Sequence, residues 1–203
     1  MENLDFEWSR CLDEYEIVEE KGADHRPVLV IRPRSQRFET YKPLRLDGAF
    51  MAFATVERTP AGFVDFANRF GLLHHPREPE PIAVFYAEHD SLKTVAVPAI
   101  VKHDTQAVNL FDVSEIANDR PPLIRLNLSF RDGRPVLAPR DLRDALWLQF
   151  AVSITKREKF KVCLFCGTWF AYGTGTNHRE TAIYCSSKCQ QTHAYRKRKG
   201  LTT

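Results

Sequence analysis

The sequence predicts an α+β fold, a mixed body over residues 1–158 followed over residues 159–203 by a small treble-clef zinc finger. Three observations predict it: an aromatic stripe at helical spacing between Thr59 and Gly71, an alternation of apolar and polar residues from Ile124 to Phe130, and four of the five cysteines gathered after residue 160. A chain of 203 residues has room for one ordinary domain and an appendage. With 43% apolar and 27% charged residues it can bury a core, which excludes wholesale disorder. No run approaches the roughly 18 apolar residues of a membrane span. The acidic start Met1-Glu2-Asn3-Leu4-Asp5 lacks the basic region of a secretory signal, so the expected location is the cytoplasm.

Residues 1–42 read as polar and irregular apart from a strand at Val28–Ile31, bounded by Pro27 and Pro33. Cys11 stands alone and is expected to be an idle or buried thiol. Between Leu44 and Val56 the spacing of Leu46, Phe50, Phe53 and Ala54 favours a short helix, with Asp47-Gly48 as a turn before a strand as the alternative. A clearer helix follows. Thr59 is placed to cap it, Pro60 suits its first turn, Gly71 stops it, and Phe63, Phe66, Ala67 and Phe70 form its core face.

After a break at Pro76, Pro79 and Pro81, the runs Ile82–Phe85 and Leu92–Val101 are too short to separate strand from buried helix. His74 and His75 fall in that break, read as solvent-facing, and receive no role. Ile124 to Phe130, the turn Asp132-Gly133 and then Val136-Leu137 predict a β-hairpin. Pro139 is expected to open a helix carrying Leu142, Ala145, Leu146, Phe150 and Ile154 on one side, broadened by Trp147, Leu148 and Ala151. Lys156-Arg157-Glu158-Lys159 ends it and leads into the first cysteine pair without a flexible linker.

Cys163 and Cys166 lie two residues apart on a tight turn ending in Gly167, a spacing that lets two thiolates reach one ion at about 2.3 Å. Cys185 and Cys189, at i and i+4, share one side of a first helical turn. Ser187 and Gln190 resemble a capping box for that helix, Gly200 is its natural stop, and the metal–thiolate cluster sits near the positive end of its dipole. Trp169–Tyr172 and Thr181–Tyr184 flank Gly173-Thr174-Gly175 and suggest a hairpin. The favoured site is one structural Zn²⁺ held by Cys163, Cys166, Cys185 and Cys189, closed to water and substrate, with His193 or His178 as possible substitutes for a cysteine.

Net charge is +3, but from Lys156 to Lys199 ten Lys/Arg oppose only Glu158 and Glu180, so that stretch carries +8 and the remainder −5. Four zinc-bound thiolates would leave the tail at about +6. The last helix ends in Tyr195-Arg196-Lys197-Arg198-Lys199, a composition that suits phosphate. Lys188, Gln191, Arg196, Lys197, Arg198 and Lys199 are therefore the candidate nucleic-acid contacts, with Gln190, Gln191 or Arg196 placed to reach base edges. The bland alternative is that these cations complement the helix dipole and keep the terminus soluble.

Cys163-x2-Cys166-Gly167, Trp169-Phe170, Tyr184-Cys185-Ser186, Cys189 and Tyr195-Arg196-x-Arg198 resemble the CGNR-type zinc fingers. Those fingers stand at the C-termini of bacterial proteins, typically after a stress-response domain named ABATE, and the proteins are regarded as DNA-binding transcription regulators. The resemblance implies a metal role for the four cysteines and a nucleic-acid role for Arg196 and Arg198. Here Gln190-Gln191-Thr192 stands where that family has its naming tetrad, and the last cysteine pair is spaced by three residues rather than four. Tyr184-Cys185-Ser186-x2-Cys189-Gln190 is also similar to the second half of peptide-binding MYND fingers, without the cysteines for their second zinc.

The resulting expectation is a zinc-finger DNA-binding regulator with no enzymatic activity, DNA being favoured over RNA. The second reading is a zinc-stabilised protein-interaction module that uses the acidic body or a Trp169-Phe170 surface. The third is a hydrolase body with Glu88, His89 and Asp90 as candidates, against a plain solvated turn at those residues.

Overall fold

A computed structural model describes residues 6–22, 24–46, 48–102, 123–131 and 134–201, and its helices and strands intermix as an α+β architecture. The N-terminal stretch, expected to be irregular, is built of strands. β1 (Trp8–Cys11) pairs antiparallel with β4 (Phe38–Tyr41), Trp8 opposite Tyr41. β2 (Tyr15–Lys21) pairs with β3 (Pro27–Pro33), Ile17 opposite Ile31, and the far edge of β3 takes the short β5 (Glu80–Pro81). The expected strand at 28–31 is thus the centre of a three-stranded sheet. Its partner β2 shows no apolar run because Glu16, Glu19 and Glu20 occupy its open positions, and Glu16 is tied across the pair to Arg32 at 2.9 Å.

A 3-10 turn (Pro43–Arg45) leads to α1 (Ala49–Thr55), so the helical reading of 44–56 holds, with its start at Gly48 in the left-handed region (φ 73°). α2 (Pro60–Phe70) begins and ends where its caps predict: the Thr59 hydroxyl accepts from Gly62 N–H at 3.1 Å, and Gly71 adopts φ 85°. The open question at 82–101 resolves as one long helix, α3 (Ile82–Lys102). Glu88, His89 and Asp90 are mid-helix, not a solvated turn: His89 is fully buried and its Nε2 lies 3.2 Å from the Val56 carbonyl. The intervening polar residues had disguised the helix by splitting its apolar face.

β6 (Leu126–Arg131) and β7 (Arg134–Pro139) form the predicted hairpin, Leu128 opposite Leu137; the expected turn Asp132-Gly133 lies outside the described residues. Pro139 closes β7 instead of opening a helix. α4 (Leu142–Thr155) starts three residues later because Asp141 supplies the cap, accepting from Asp144 N–H at 2.9 Å. Leu142, Ala145, Leu146, Trp147, Phe150 and Ile154 are buried as expected, whereas Ala151 faces solvent.

The helices share one aromatic core. Phe53 lies at its centre, with the Phe66 ring at 4.7 Å, His89 at 5.9 Å and Phe63 and Phe85 at 6.4 Å. Trp8 Nε1 donates to the Leu72 carbonyl at 2.9 Å and Tyr15 N–H to Asn68 Oδ1 at 2.8 Å, which joins the strands to the end of α2. His74 is not solvent-facing: its Nδ1 lies 2.5 Å from Glu80, a carboxylate that is buried and also accepts from Leu73 N–H at 2.7 Å. His75 is exposed as expected. Cys11 is a buried free thiol.

Candidate metal centre

Beyond α4 the chain turns at Arg157, whose φ is 54°, and enters a hairpin of β8 (Lys159–Val162) and β9 (Trp169–Tyr172), Phe160 opposite Ala171. This corrects the expected hairpin: Trp169–Tyr172 pairs with the segment before the first cysteines, and Thr181–Tyr184 forms no strand. The physical reason is reach. Pairing with 159–162 puts Cys163 to Cys166 at the hairpin tip, where Cys163 N–H donates to the Thr168 carbonyl at 2.9 Å and Gly167 N–H to the Cys163 carbonyl at 3.0 Å. Gly167 takes φ 69°, a left-handed conformation that a residue without Cβ adopts freely. Segment 181–184 instead crosses the knuckle through Leu164 N–H to the Ile183 carbonyl at 3.0 Å and brings Cys185 alongside.

Helix α5 (Ser187–Arg198) presents the second pair. Its cap is Ser186, whose hydroxyl accepts from Cys189 N–H at 3.2 Å, one residue earlier than the Ser187–Gln190 box predicts. Bonding to the ligand's own N–H holds Cys189 on the first turn beside Cys185. At the other end Gly200, at φ 66°, and Leu201 donate to Lys197 and Arg196 carbonyls at 3.2 and 3.0 Å, the paired bonds of a Schellman stop. The knuckle lies at the tip of the β8–β9 hairpin, and α5 follows it in the chain.

The sulfurs of Cys163, Cys166, Cys185 and Cys189 all lie within 4.8 Å of one another and can hold one metal ion. Cys166 and Cys185 are 3.5 Å apart and Cys185 and Cys189 3.6 Å, far beyond a disulfide bond. A tetrahedron of thiolates about 2.3 Å from a central ion has edges of about 3.8 Å, so these separations fit a four-sulfur site.

The electrostatics point the same way. Burial works to raise the Cys163 thiol, but hydrogen bonds from the backbone of Cys166, Cys185 and Phe165 and from the Cys166 side chain prevail and bring it down to about 6. Burial, then its contacts with the sulfurs of Cys166, Cys189 and Cys163, pushes Cys185 strongly up. A divalent cation among the four sulfurs would favour their thiolate forms.

Neither histidine joins the cluster, which among the described residues is all cysteine. His193 Nδ1 lies 2.9 Å from the Tyr184 hydroxyl with its ring beside Phe165, and His178 packs edge-on against Phe170 at 5.0 Å. Both brace the module.

The candidate nucleic-acid residues are placed differently. Lys188, Gln190, Gln191, Arg196, Lys197, Arg198 and Lys199 are all exposed, and α5 buries no residue. Helical spacing aligns Lys188, Gln191, Tyr195 and Arg198 on one face, with Tyr195 52% exposed among the cations. Arg196 leans back over the Phe165 ring, 5.2 Å from its centre. Among the described residues no carboxylate pairs with Arg196 to Lys199. Lys159 and Lys161 are engaged locally by Glu180, Lys161 through its backbone carbonyl.

The finger is seated on the body. Phe160 meets Phe50 edge-on at 5.3 Å, Trp169 packs on the core, and Arg69 donates to the Thr168 hydroxyl at 3.1 Å. Phe170 is 2% exposed, so Trp169-Phe170 does not form the free hydrophobic surface foreseen for a partner. Glu88 accepts from Arg143 at 3.0 Å, and Asp90 is gripped by Arg58 at 2.7 Å, which holds its carboxyl down at about 2.

No family model, curated protein or solved structure matches this chain. Among the described residues no helix is long and apolar enough to cross a membrane.

Proposed function

We propose that the chain is a zinc-finger protein that binds DNA through α5 and acts in transcription regulation. The observation that carries the reading is a cationic helix that buries no residue and whose first turn is pinned by a four-cysteine cluster. Four thiolates in tetrahedral spacing suit Zn²⁺ above harder divalent ions, and a site with four protein ligands serves structure. Zinc would fix the direction of α5. Lys188, Gln191, Arg196, Lys197, Arg198 and Lys199 then supply charge and hydrogen-bond donors to a phosphate backbone, and the resemblance to CGNR-type fingers supports the same assignment. A cytoplasmic location and the absence of a catalytic role belong to this reading.

The test is the salt dependence of duplex binding by the zinc-loaded full chain. Affinity should fall steeply with salt, with a slope of about −0.9 per phosphate neutralised, and Arg196→Ala with Arg198→Ala should flatten that slope by about 2. A binding constant indifferent to salt would remove the proposal.

One observation favours a second reading, a protein-interaction module. Leu164 and Ile183, adjacent across the knuckle, are 61% and 50% exposed and offer a small apolar spot to a peptide. Loss of peptide binding on Leu164→Ser, with no duplex binding at any salt, would establish it instead.

A further inference from the structure

A cleft of about 350 Å³ opens where the finger meets the body, lined by Arg10, Arg45 and Arg69 on the body side and by Thr168, Trp169 and His178 on the finger side. Its volume lies near the lower end of the roughly 300–1,000 Å³ typical of small-molecule sites. No described carboxylate lines it.

The three guanidinium groups are not equivalent. Arg10 is neutralised by Glu39 at 2.6 Å and also donates to the Arg69 carbonyl, so it serves as scaffold. Arg69 crosses to the finger through the Thr168 hydroxyl at 3.1 Å, Arg45 is exposed, and among the described residues neither has an ion-pair partner. Two forks with no carboxylate partner among the described residues, beside a hydroxyl, suit an anion with several acceptor oxygens. Leu46, Ala52, Phe70 and Trp169 give the same cleft an apolar wall, which suits a flat organic group and would be wasted on a bare inorganic anion.

We propose that this cleft binds the phosphate group of a ligand that also carries a flat organic part. Arg45 and Arg69 hold the phosphate, Thr168 adds a donor, and the Trp169 side packs against the ring. Cys185 also lines the cleft, so one occupant touches the body and the metal module together and links the seating of the finger to ligand concentration. The inference is independent of α5, none of whose residues lines the cleft.

Such a phosphate belongs either to a free mononucleotide or to a polynucleotide backbone, and one experiment separates the two. The zinc-loaded full chain is titrated with adenosine monophosphate, with inorganic phosphate and with a short DNA duplex, by calorimetry and tryptophan fluorescence. The expected result is adenosine monophosphate binding tighter than phosphate, weakened at least tenfold by Arg45→Ala with Arg69→Ala and untouched by Arg196→Ala with Arg198→Ala. Should the mononucleotide fail to bind while duplex affinity falls tenfold in the Arg45/Arg69 variant, the phosphate site stands and serves a polynucleotide. Arg45→Ala alone, at an exposed position, should weaken binding several-fold and covers the case in which the double variant misfolds. Binding of every probe unchanged in these variants, or no binding of any probe, overturns the proposal; duplex binding that still depends on Arg196 and Arg198 would then leave the function of α5 intact.

Discussion

The indole N–H of Trp169 donates to the hydroxyl of Thr55 at 2.9 Å, joining the finger's hairpin to the last residue of α1. Thr55 passes the bond on to the Met51 carbonyl at 2.7 Å, so one hydroxyl anchors the finger to the body's core helix. Thr55→Val should cost about 1 kcal/mol of stability, the worth of one hydrogen bond. Trp169→Ala, which also removes ring packing, should cost more. Denaturant unfolding measures both, and equal stability of all three proteins would mean that the finger is not fastened here.

At Gly48 two constraints coincide. Its φ is 73°, and a Cβ there would lie 2.8 Å from the Trp169 Cβ. Gly48→Ala should therefore cost about 2–4 kcal/mol, combining left-handed strain with overpacking. Gly175 also has a positive φ, 84°, but nothing within 4 Å of such a Cβ, so Gly175→Ala should cost only the strain, about 1–2 kcal/mol. Thermal melting that ranks the two substitutions the other way would contradict the docked arrangement.

Metal removal should divide the molecule. The finger has few buried residues of its own, and zinc binding by such modules is worth about 10–16 kcal/mol of apparent free energy. A chelator should abolish the ellipticity of α5 while the Phe53-centred core keeps its near-ultraviolet signal. Elemental analysis should return one zinc per chain, and Cys163→Ser or Cys189→Ser should reduce it to near zero.

The His74–Glu80 pair predicts a pH dependence. Its hydrogen bond to Glu80, against the opposing effect of burial, raises the His74 pKa above the ordinary value of 6.5. The charged form is the one the fold stabilises, so the contribution is complete below about pH 6.5 and is lost as pH rises through the elevated folded value. The stability gap between the native protein and His74→Gln should be wider at pH 5.5 than at pH 8.5. A gap that widens toward alkaline pH would reverse the assignment.

Much of this was legible locally. Thr59 and Gly71 mark the ends of α2 because cap chemistry involves only neighbouring backbone groups. Cys163-x2-Cys166 and Cys185-x3-Cys189 reveal a ligand set because a turn and a helical turn each fix the distance between their own sulfurs. The misread elements share another property. β2 carries three glutamates and becomes a strand through β3, α3 hides its continuity behind Glu88 and Asp90, and β9 pairs with β8 and not with the expected Thr181–Tyr184.

Residue order alone settled the cysteine spacing, the caps of α2 and the cationic end of α5, since each depends on groups within a few positions of one another. Tertiary structure decided that β8 pairs with β9, that Trp169 is spent on Thr55, and that three arginines from separate elements meet at one cleft. Those outcomes depend on which surfaces find complementary partners after folding, and contacts between residues as distant as Thr55 and Trp169 leave no periodic trace along the chain.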